Sequence, residues 1–299
     1  MKPKVTVGIC VKNSEATIKE AIDSIIKQDF PHENLELIVV DGYSRDKTLS
    51  IVKEELAKTN LHYEILHENS GLGHARQIVV DNAKGNYIVW VDGDMILRTN
   101  FVSKQVEFME KNKKVGIGKG KYDMQREGSL VADLENVEFL LNFRHEGMTN
   151  SKMLATSGCI YRVEAVRQVG GFDRNIKGVG EDMDIEYRIR KSGWQLFVTS
   201  ATFCETRRKT WRSLWKEYYW HGYGGYYLFK KNRTFIDYYK MFPPIAVLLE
   251  LSKVSMAYEL LKQKRVFLLP LHYVFKRAAW FLGFIKSFMD EPKDLSIVL

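Results

Sequence analysis

Two aspartates one residue apart, Asp92 and Asp94 in "YIVWVDGDMIL" (residues 87–97), close an apolar run that reads as a buried strand. On a strand, residues i and i+2 share a face. In the turn that follows, both carboxylates can meet one hard divalent cation, Mg²⁺ or Mn²⁺, which commonly keeps substrate phosphates in its remaining positions. The competing reading is an Asp-Gly turn with solvated acids, and a lone Asp-x-Asp does not decide between the two. A second acidic group is denser: Glu181, Asp182, Asp184 and Glu186 crowd the start of "GEDMDIEYRIRKSGW". Acids in a first helical turn favour the helix dipole, which explains one or two of these. Four exceed what capping requires.

The elements that must position these acids are legible from periodicity. Val5, Val7, Ile9 and Val11 alternate as a strand, and Ile18, Ala21, Ile22, Ile25 and Ile26 follow at helical spacing, with Asn13 or Ser14 as N-cap. "LELIVVDG" and "YEILH" are further apolar strands, each followed by an amphipathic helix, and "YIVWVDGD" is the fourth strand. Continuous apolar strands separated by such helices predict a parallel sheet covered on both faces. Sheets of this kind bind ligands at the carboxyl ends of their strands. Asn13, Asp41, Glu68 and Asp92–Asp94 all fall at such ends, so they are expected to converge on one crevice. Further on, "TSGCIYR" reads as a strand, "VEAVRQVGGFD" as a helix closed by a Gly pair, and "GEDMDIEYRIRKSGW" as a helix.

Composition narrows the partners. The chain has 299 residues, enough for one large domain or a domain with an appendage. Its three cysteines (Cys10, Cys159, Cys204) are widely spaced, which argues against a zinc knuckle or a secreted disulfide framework and suits a reducing compartment. The N-terminus goes directly into a strand, so no signal peptide is expected. The formal net charge of +8 is uneven: residues 201–299 hold 17 Lys/Arg against 8 Asp/Glu, leaving the first 200 residues near neutral. A basic tail suits an anionic surface, either nucleic acid or membrane.

Five segments occur in order: "VTVGICVKNSEATIKEAIDSIIKQ", "LIVVDGYSRDKT", "NSGLGHARQIVVDNAKGNYIVWVDGDM", "GCIYRVEAVRQVGGFD" and "GEDMDIEYRIRKSGWQL". Together, over roughly residues 4–230, the chain resembles the inverting family 2 glycosyltransferases of the GT-A fold. Cys10 and Lys12 stand where that family has a proline and a tyrosine, and no Q-x-x-R-W motif of processive synthases is present. The second departure argues against a polymerising enzyme. The resemblance implies roles. Asp41 would read the nucleotide base, with Asn13 beside it and Arg76 near the nucleotide site. Asp92 would lie near the ribose and metal, Asp94 would ligate Mn²⁺ or Mg²⁺, Asp182 would be the general base and Glu181 would orient the acceptor. A base favours a hydroxyl acceptor over a polyprenyl phosphate, which is already an anion. Among Arg207, Arg208, Lys209 and Arg212, a basic residue would close over the diphosphate, with Arg212 named here as the candidate.

Read from the residues alone, each position keeps a plainer role: a turn for Asp41, a solvated helix position for Arg76, a helix cap for Asn13. "TWRSLWKEYYWHGYGGYYLF" (residues 210–229) interleaves aromatic and basic residues, as a single-strand platform, a membrane-interface belt or sugar-stacking walls would. His221 within it is a metal ligand or simply packed. From Leu271 on, His272, Lys276, Gly283, Lys286 and Ser287 share one side of a helix and aromatic residues cover the rest. That pattern suits a helix lying in the membrane interface or one packed on its own domain.

The expectation is therefore a GT-A, Rossmann-like, mostly parallel sheet flanked by helices over residues 1–230, with a helical membrane-associating extension over 231–299. It would be a metal-dependent enzyme, peripheral on the cytoplasmic face of the cell membrane. It would move one sugar from a nucleoside-diphosphate sugar to a hydroxyl of a lipid-linked or glycan acceptor. The alternatives are a polyprenyl-phosphate glycosyltransferase or a non-catalytic nucleic-acid binder. The latter would leave the carboxylates idle, so no nucleic-acid partner is expected. A nucleotidyltransferase is disfavoured because the loop after strand 1 reads "CVKNSEA", without a G-x-G-T-R signature. A dehydrogenase is disfavoured because "GLGHAR" and "GIGKGK" do not supply G-x-G-x-x-G.

Overall fold

The computed structural model describes residues 4–124, 128–149, 153–176, 179–233 and 242–290. Parts of the expected extension, residues 234–241 and 291–299, lie outside the described residues. The chain divides into two compact units: residues 1–127, 135–175 and 181–207 form one, and residues 128–134, 176–180 and 208–299 the other.

The first unit is an α/β layer structure. β1 (Val5–Val11), β2 (Leu35–Asp41), β3 (His62–His67) and β4 (Tyr87–Trp90) alternate with α1 (Ile18–Ile26), α2 (Thr48–Leu56) and α3 (Leu72–Asn82). These four strands pair in parallel in the order β3-β2-β1-β4. β1 is central: Val5, Val7 and Ile9 are fully buried on one side of its pleat, and Thr6 and Gly8 are buried on the other. Its register sets Val11 beside Asp41, and Asp41 beside His67, so the polar strand ends line up in one row.

The rest of the sheet is mixed. β5 (Met95–Leu97), α4 (Phe101–Lys111), β6 (Val115–Tyr122) and α5 (Leu130–Phe143) follow in the chain. After them come the two-residue β7 (Gly147–Met148), β8 (Cys159–Arg162), α6 (Val163–Gln168), α7 (Glu181–Lys191) and β9 (Gln195–Glu205). The sheet runs β3-β2-β1-β4-β8-β6-β9-β5, with β7 on β9. β8 runs antiparallel to both β4 and β6, and β5 antiparallel to β9. The Gly170–Gly171 pair, which suits a helix cap and an acceptor-pocket lining equally by its sequence, closes α6 through bonds to the carbonyls of Arg167 and Val166.

The second unit is helical. α8 (Trp211–Lys231) opens on Thr210, whose side chain and that of Ser213 cap each other's backbone N–H groups. α9 (Pro243–Leu261) and α10 (Leu269–Asp290) follow. No helix of the described residues is long and apolar enough to cross a membrane.

The polar side of α10 packs within its own unit, one of the two arrangements that its pattern suits, and of that side Lys286 alone is exposed. His272, Lys276, Gly283 and Ser287 do not form an outward polar face: all four are buried, together with Leu269, Tyr273, Ala279 and Trp280. The reason is steric. A Cβ on Gly283 would sit 1.9 Å from the Tyr219 carbonyl oxygen, and one on Gly222 would sit 1.8 Å from that of Trp280. The stripe of small and polar residues is what lets α8 and α10 touch backbone to backbone. Leu271, Leu282, Phe288 and Met289 face outward instead.

Candidate functional site

The loops after β1 and β2 are laced together. Asn13 adopts φ 52°, its amide oxygen accepts from Arg45 N–H at 2.9 Å, and its own N–H donates to Ser44 Oγ at 2.9 Å. Ser14 N–H donates to Thr48 Oγ1 at 2.7 Å, and Glu15 accepts from Lys47 N–H at 2.9 Å. The helix-cap reading of Asn13 and Ser14 is thereby corrected. α1 starts only at Ile18, and the Asn13 side chain ties the second loop to the first. Asp41, buried, accepts from the N–H and the hydroxyl of Ser44, the latter at 2.6 Å, and lies 3.4 Å from His67 Nδ1. Its carboxylate fixes the turn after β2.

Against these ends lies a cavity of about 190 Å³ lined by Cys10, Lys12, Gly42, Glu68, Asn69 and Leu72 among others. A cavity of roughly 150 Å³ holds a benzene-sized ring, so this one has room for a planar heterocycle. Its walls are the ends of β1, β2 and β3 and the start of α3.

The turn after β4 carries the paired aspartates. A Cβ on Gly93 would meet Val11 Cγ1 at 2.9 Å, so glycine lets the turn lie against the end of β1. Asp92 and Asp94 are both half-buried. Burial pushes the Asp92 carboxyl above its usual range. Glu205 and Asp182 add to that push, against the Arg76 guanidinium and the Lys119 amine. Thr206 N–H donates to the Asp94 carbonyl at 2.8 Å, which brings the end of β9 against the same turn.

Arg76 joins the two acidic groups. Gly73 allows it: a Cβ there would meet the Asp173 carbonyl at 3.1 Å and the Glu181 side chain at 3.4 Å, so α3 and the start of α7 pack closely. The buried Arg76 guanidinium binds Glu181 through Nη1, and its Nη2 lies 3.7 Å from Asp92 Oδ1. Burial opposes its charge, but Glu181, Asp92 and Asp182 outweigh that and hold it protonated. The solvated-helix reading of Arg76 therefore does not hold. Asp182, half-buried, accepts from Met183 N–H at 2.8 Å in the first turn of α7.

The four acids of α7 divide cleanly. Asp184 pairs with Arg188 at 2.6 Å and Glu186 with Arg190 at 2.9 Å, each four residues on. Glu186 also accepts from Leu154 N–H at 2.7 Å. These two acids pair along their own helix, whereas Glu181 binds Arg76 and the Asp182 charge acts on the same guanidinium. The i+4 arginines were in the sequence and could have separated the pairs beforehand.

Sequence reasoning missed a polar cluster whose charges act on Asp92. Lys119, fully buried, donates to the Ser157 carbonyl and stands over the rings of Phe143, Tyr122 and Phe203 at 5.1–5.4 Å. Burial lowers its amine below the usual range. Glu205 accepts from the Tyr122 hydroxyl at 3.0 Å and pairs with Arg207 at 3.0 Å. The only advance signal was a lysine within the strand "VGIGKGKY". Arg207, buried 3.9 Å over the Phe139 ring, is committed there. Arg212 belongs to the second unit, exposed on the first turn of α8, and His221 packs edge-on against Tyr218 at 5.3 Å.

Known proteins share the fold of this chain. The chain superimposes on the mannosyltransferase PcManGT of Pyrobaculum calidifontis, solved with GDP-Man and Mn²⁺. The TM-score is 0.68 at 18% identity, covering 98% of this chain and 89% of that one. It superimposes on TarS 1–349 of S. aureus with UDP-GlcNAc at TM-score 0.55 and 16% identity, covering 99% and 94%. Both likenesses are of fold, the GT-A arrangement of a curled mixed sheet flanked by helices. In sequence it is 34% identical over 110 residues to the Staphylococcus aureus poly(ribitol-phosphate) beta-N-acetylglucosaminyltransferase TarS, covering 36% of this chain and 19% of TarS. It is 28% identical over 201 residues to the putative glycosyltransferase EpsE of Bacillus subtilis, covering 64% and 69%. The chain thus spans about a fifth of the TarS relative. Residues 6–170 match the description "Glycosyl transferase family 2", more than half of the chain. With the Asp92-Gly93-Asp94 turn and the start of α7 meeting at Arg76, the chain belongs to glycosyl transferase family 2.

Proposed function

We propose that the chain transfers one sugar from a nucleoside-diphosphate donor to a hydroxyl group, with inversion at the anomeric carbon. One observation carries the reading: a single buried guanidinium, Arg76, binds Glu181 and lies 3.7 Å from Asp92, so the two acidic groups converge. The cavity by Asn69 and Gly42 would take the base, and the turn at Asp92 and Asp94 would face the diphosphate. In this reading Asp41 acts by holding that wall in shape, and Asn13 by pinning the neighbouring loop.

The residues present fit a divalent cation. Asp92 and Asp94 offer hard carboxylate oxygens, and the crowding of Asp92 by Glu205 and Asp182 is relieved by positive charge. Asp94, with Asp92, would hold Mn²⁺ or Mg²⁺, which when bound neutralises the charge that develops on the departing diphosphate. Arg76 would add a fixed positive charge on the same side. Asp182 would accept the acceptor's hydroxyl proton as the oxygen attacks from the face opposite the leaving group, and direct displacement inverts the centre. Glu181, fixed by Arg76, would orient that acceptor. Lipid-linked or glycan acceptors at the inner face of the cell membrane suit the basic second unit.

A thermal-shift screen of nucleotide sugars with and without Mn²⁺ tests the donor half. At least one donor is expected to stabilise the protein only with the metal, and no shift from any of them overturns the reading. Asp182→Asn is expected to keep that shift and lose transfer. Transfer that persists would place the base elsewhere or make the acceptor a phosphate.

A further inference from the structure

The second unit leaves an unusual number of large apolar side chains outside while burying polar ones. Of the large apolar side chains that stand exposed among the described residues, Tyr43, Tyr63 and Met148 lie in the first unit and fifteen in the second, twelve of those between Phe242 and Met289. Along α10 the buried stripe is Leu269, His272, Tyr273, Lys276, Ala279, Trp280, Gly283 and Ser287. The opposite face shows Leu271, Phe281, Leu282, Phe288 and Met289. The preceding turn and α9 expose Leu248, Leu251, Leu260, Phe267 and Leu268 as well.

Water would select the reverse arrangement, because exposed apolar area is unfavourable and a buried lysine must be desolvated. In lipid, by contrast, helices associate through small and polar residues and turn apolar side chains outward. The α8–α10 seam is of that second kind: Gly222 lies against the Trp280 backbone and Gly283 against that of Tyr219, and Lys276 is buried over the Tyr218 ring at 4.7 Å. The charge around the crest chooses the lipid. Lys262 and Lys264, both exposed, lead directly into Phe267, Leu268 and Leu271, and exposed Trp211 and Trp220 stand on α8, residues that prefer a bilayer boundary. A second copy of so basic a unit would meet like charge, whereas an anionic headgroup layer meets opposite charge.

We infer that the α9–α10 crest, from Leu248 to Met289, is a seat in an anionic lipid leaflet. It enters the acyl layer with its apolar side chains while Lys262 and Lys264 rest at the headgroups. It is a seat and not a span, since no helix of the described residues can cross. The inference builds on the membrane-surface part of the proposed function and is independent of its sugar chemistry.

Flotation of the full chain with vesicles of phosphatidylcholine, with and without phosphatidylglycerol, tests it. The wild type is expected to float with the phosphatidylglycerol vesicles. Leu271→Glu with Leu282→Glu, both at exposed positions 11 residues apart on one face, is expected to weaken that binding about tenfold or more. Lys262→Asn with Lys264→Ser is expected to weaken binding to the anionic vesicles alone, and high salt to mimic it. Metal-dependent donor binding in both double variants is expected to be unchanged, which shows that they fold and separates the seat from the chemistry. Equal flotation of wild type and Leu271→Glu/Leu282→Glu overturns the seat. So does a wild type that does not float but forms a dimer which this variant breaks.

Discussion

In the α/β unit buried and half-buried cations sit against oxygen: Arg76 on Glu181 and Lys119 on the Ser157 carbonyl, both buried, and Arg188 on Asp184 and Arg190 on Glu186, both half-buried. In the helical unit the most buried cation, Lys276, lies 4.7 Å over Tyr218 and 5.5 Å over Tyr273. Both units desolvate charge, at different purpose. In the first, each pair fixes a helix or a loop end around one crevice. In the second, the buried stripe lets two helices approach to glycine contact and leaves the apolar side chains outside. The difference teaches that polar groups are buried for two ends, to fix the groups that line a crevice and to let helices pack closely.

The largest expected effect breaks the first unit's site and leaves the second unit untouched. Asp94→Asn is expected to lower transfer by about a thousandfold and abolish the Mn²⁺-dependent donor shift. Vesicle flotation of the same variant is expected to be unchanged. A variant that retains metal-dependent donor binding would remove Asp94 from the metal role.

Arg76 is the next largest. Arg76→Met leaves Glu181 buried without its cation and is expected to cost about 3–5 kcal/mol of stability in denaturant titrations. Arg76→Met with Glu181→Met is expected to recover most of that loss without recovering transfer. If the double variant is as unstable as the single, the pair is not what holds α3 to α7.

Glu186 gives the first unit a pH signature. Burial pushes its carboxyl from 4.5 to about 7, against the Leu154 N–H and Arg190. Between those values the folded chain keeps a proton that the unfolded chain has released, so stability falls as pH rises and levels above about 7. The full span is on the order of 3 kcal/mol at most. Glu186→Gln is expected to flatten that slope in melting curves taken across the range.

Much of the first unit was legible in advance because its signals are local. Alternating Val5 to Val11 is a strand in any context, and polar residues at the ends of four such runs must gather where parallel strands end. What was not legible depends on partners distant in the chain. Asn13 reads as a helix cap until the Arg45 N–H, 32 residues on, is seen to claim it. Lys119 reads as a strand lysine until three rings enclose it. On α10 the periodicity was visible, but a wheel gives the stripe without saying which side faces the neighbour. Only the contact of Gly283 with Tyr219 fixes that.

The smallest expected effect tests the comparison most directly. If Lys276 is buried chiefly for the packing of its stem at the seam, then replacing it with a side chain of similar length and no charge loses little. Lys276→Met keeps the stem that packs between Tyr218 and Tyr273 and removes the cost of desolvating an ammonium, while giving up its attraction to the rings, about 1–2 kcal/mol at a desolvated site. The two terms oppose each other, so stability of the helical unit is expected to change by less than about 1 kcal/mol, and flotation not at all. Gly283→Val, at the same seam, is expected to lose about 2–3 kcal/mol and flotation with it, because its Cβ has no room against the Tyr219 carbonyl. A Lys276→Met variant as damaged as Gly283→Val would mean that the lysine holds the helices by charge, and the contrast between the two units would fail.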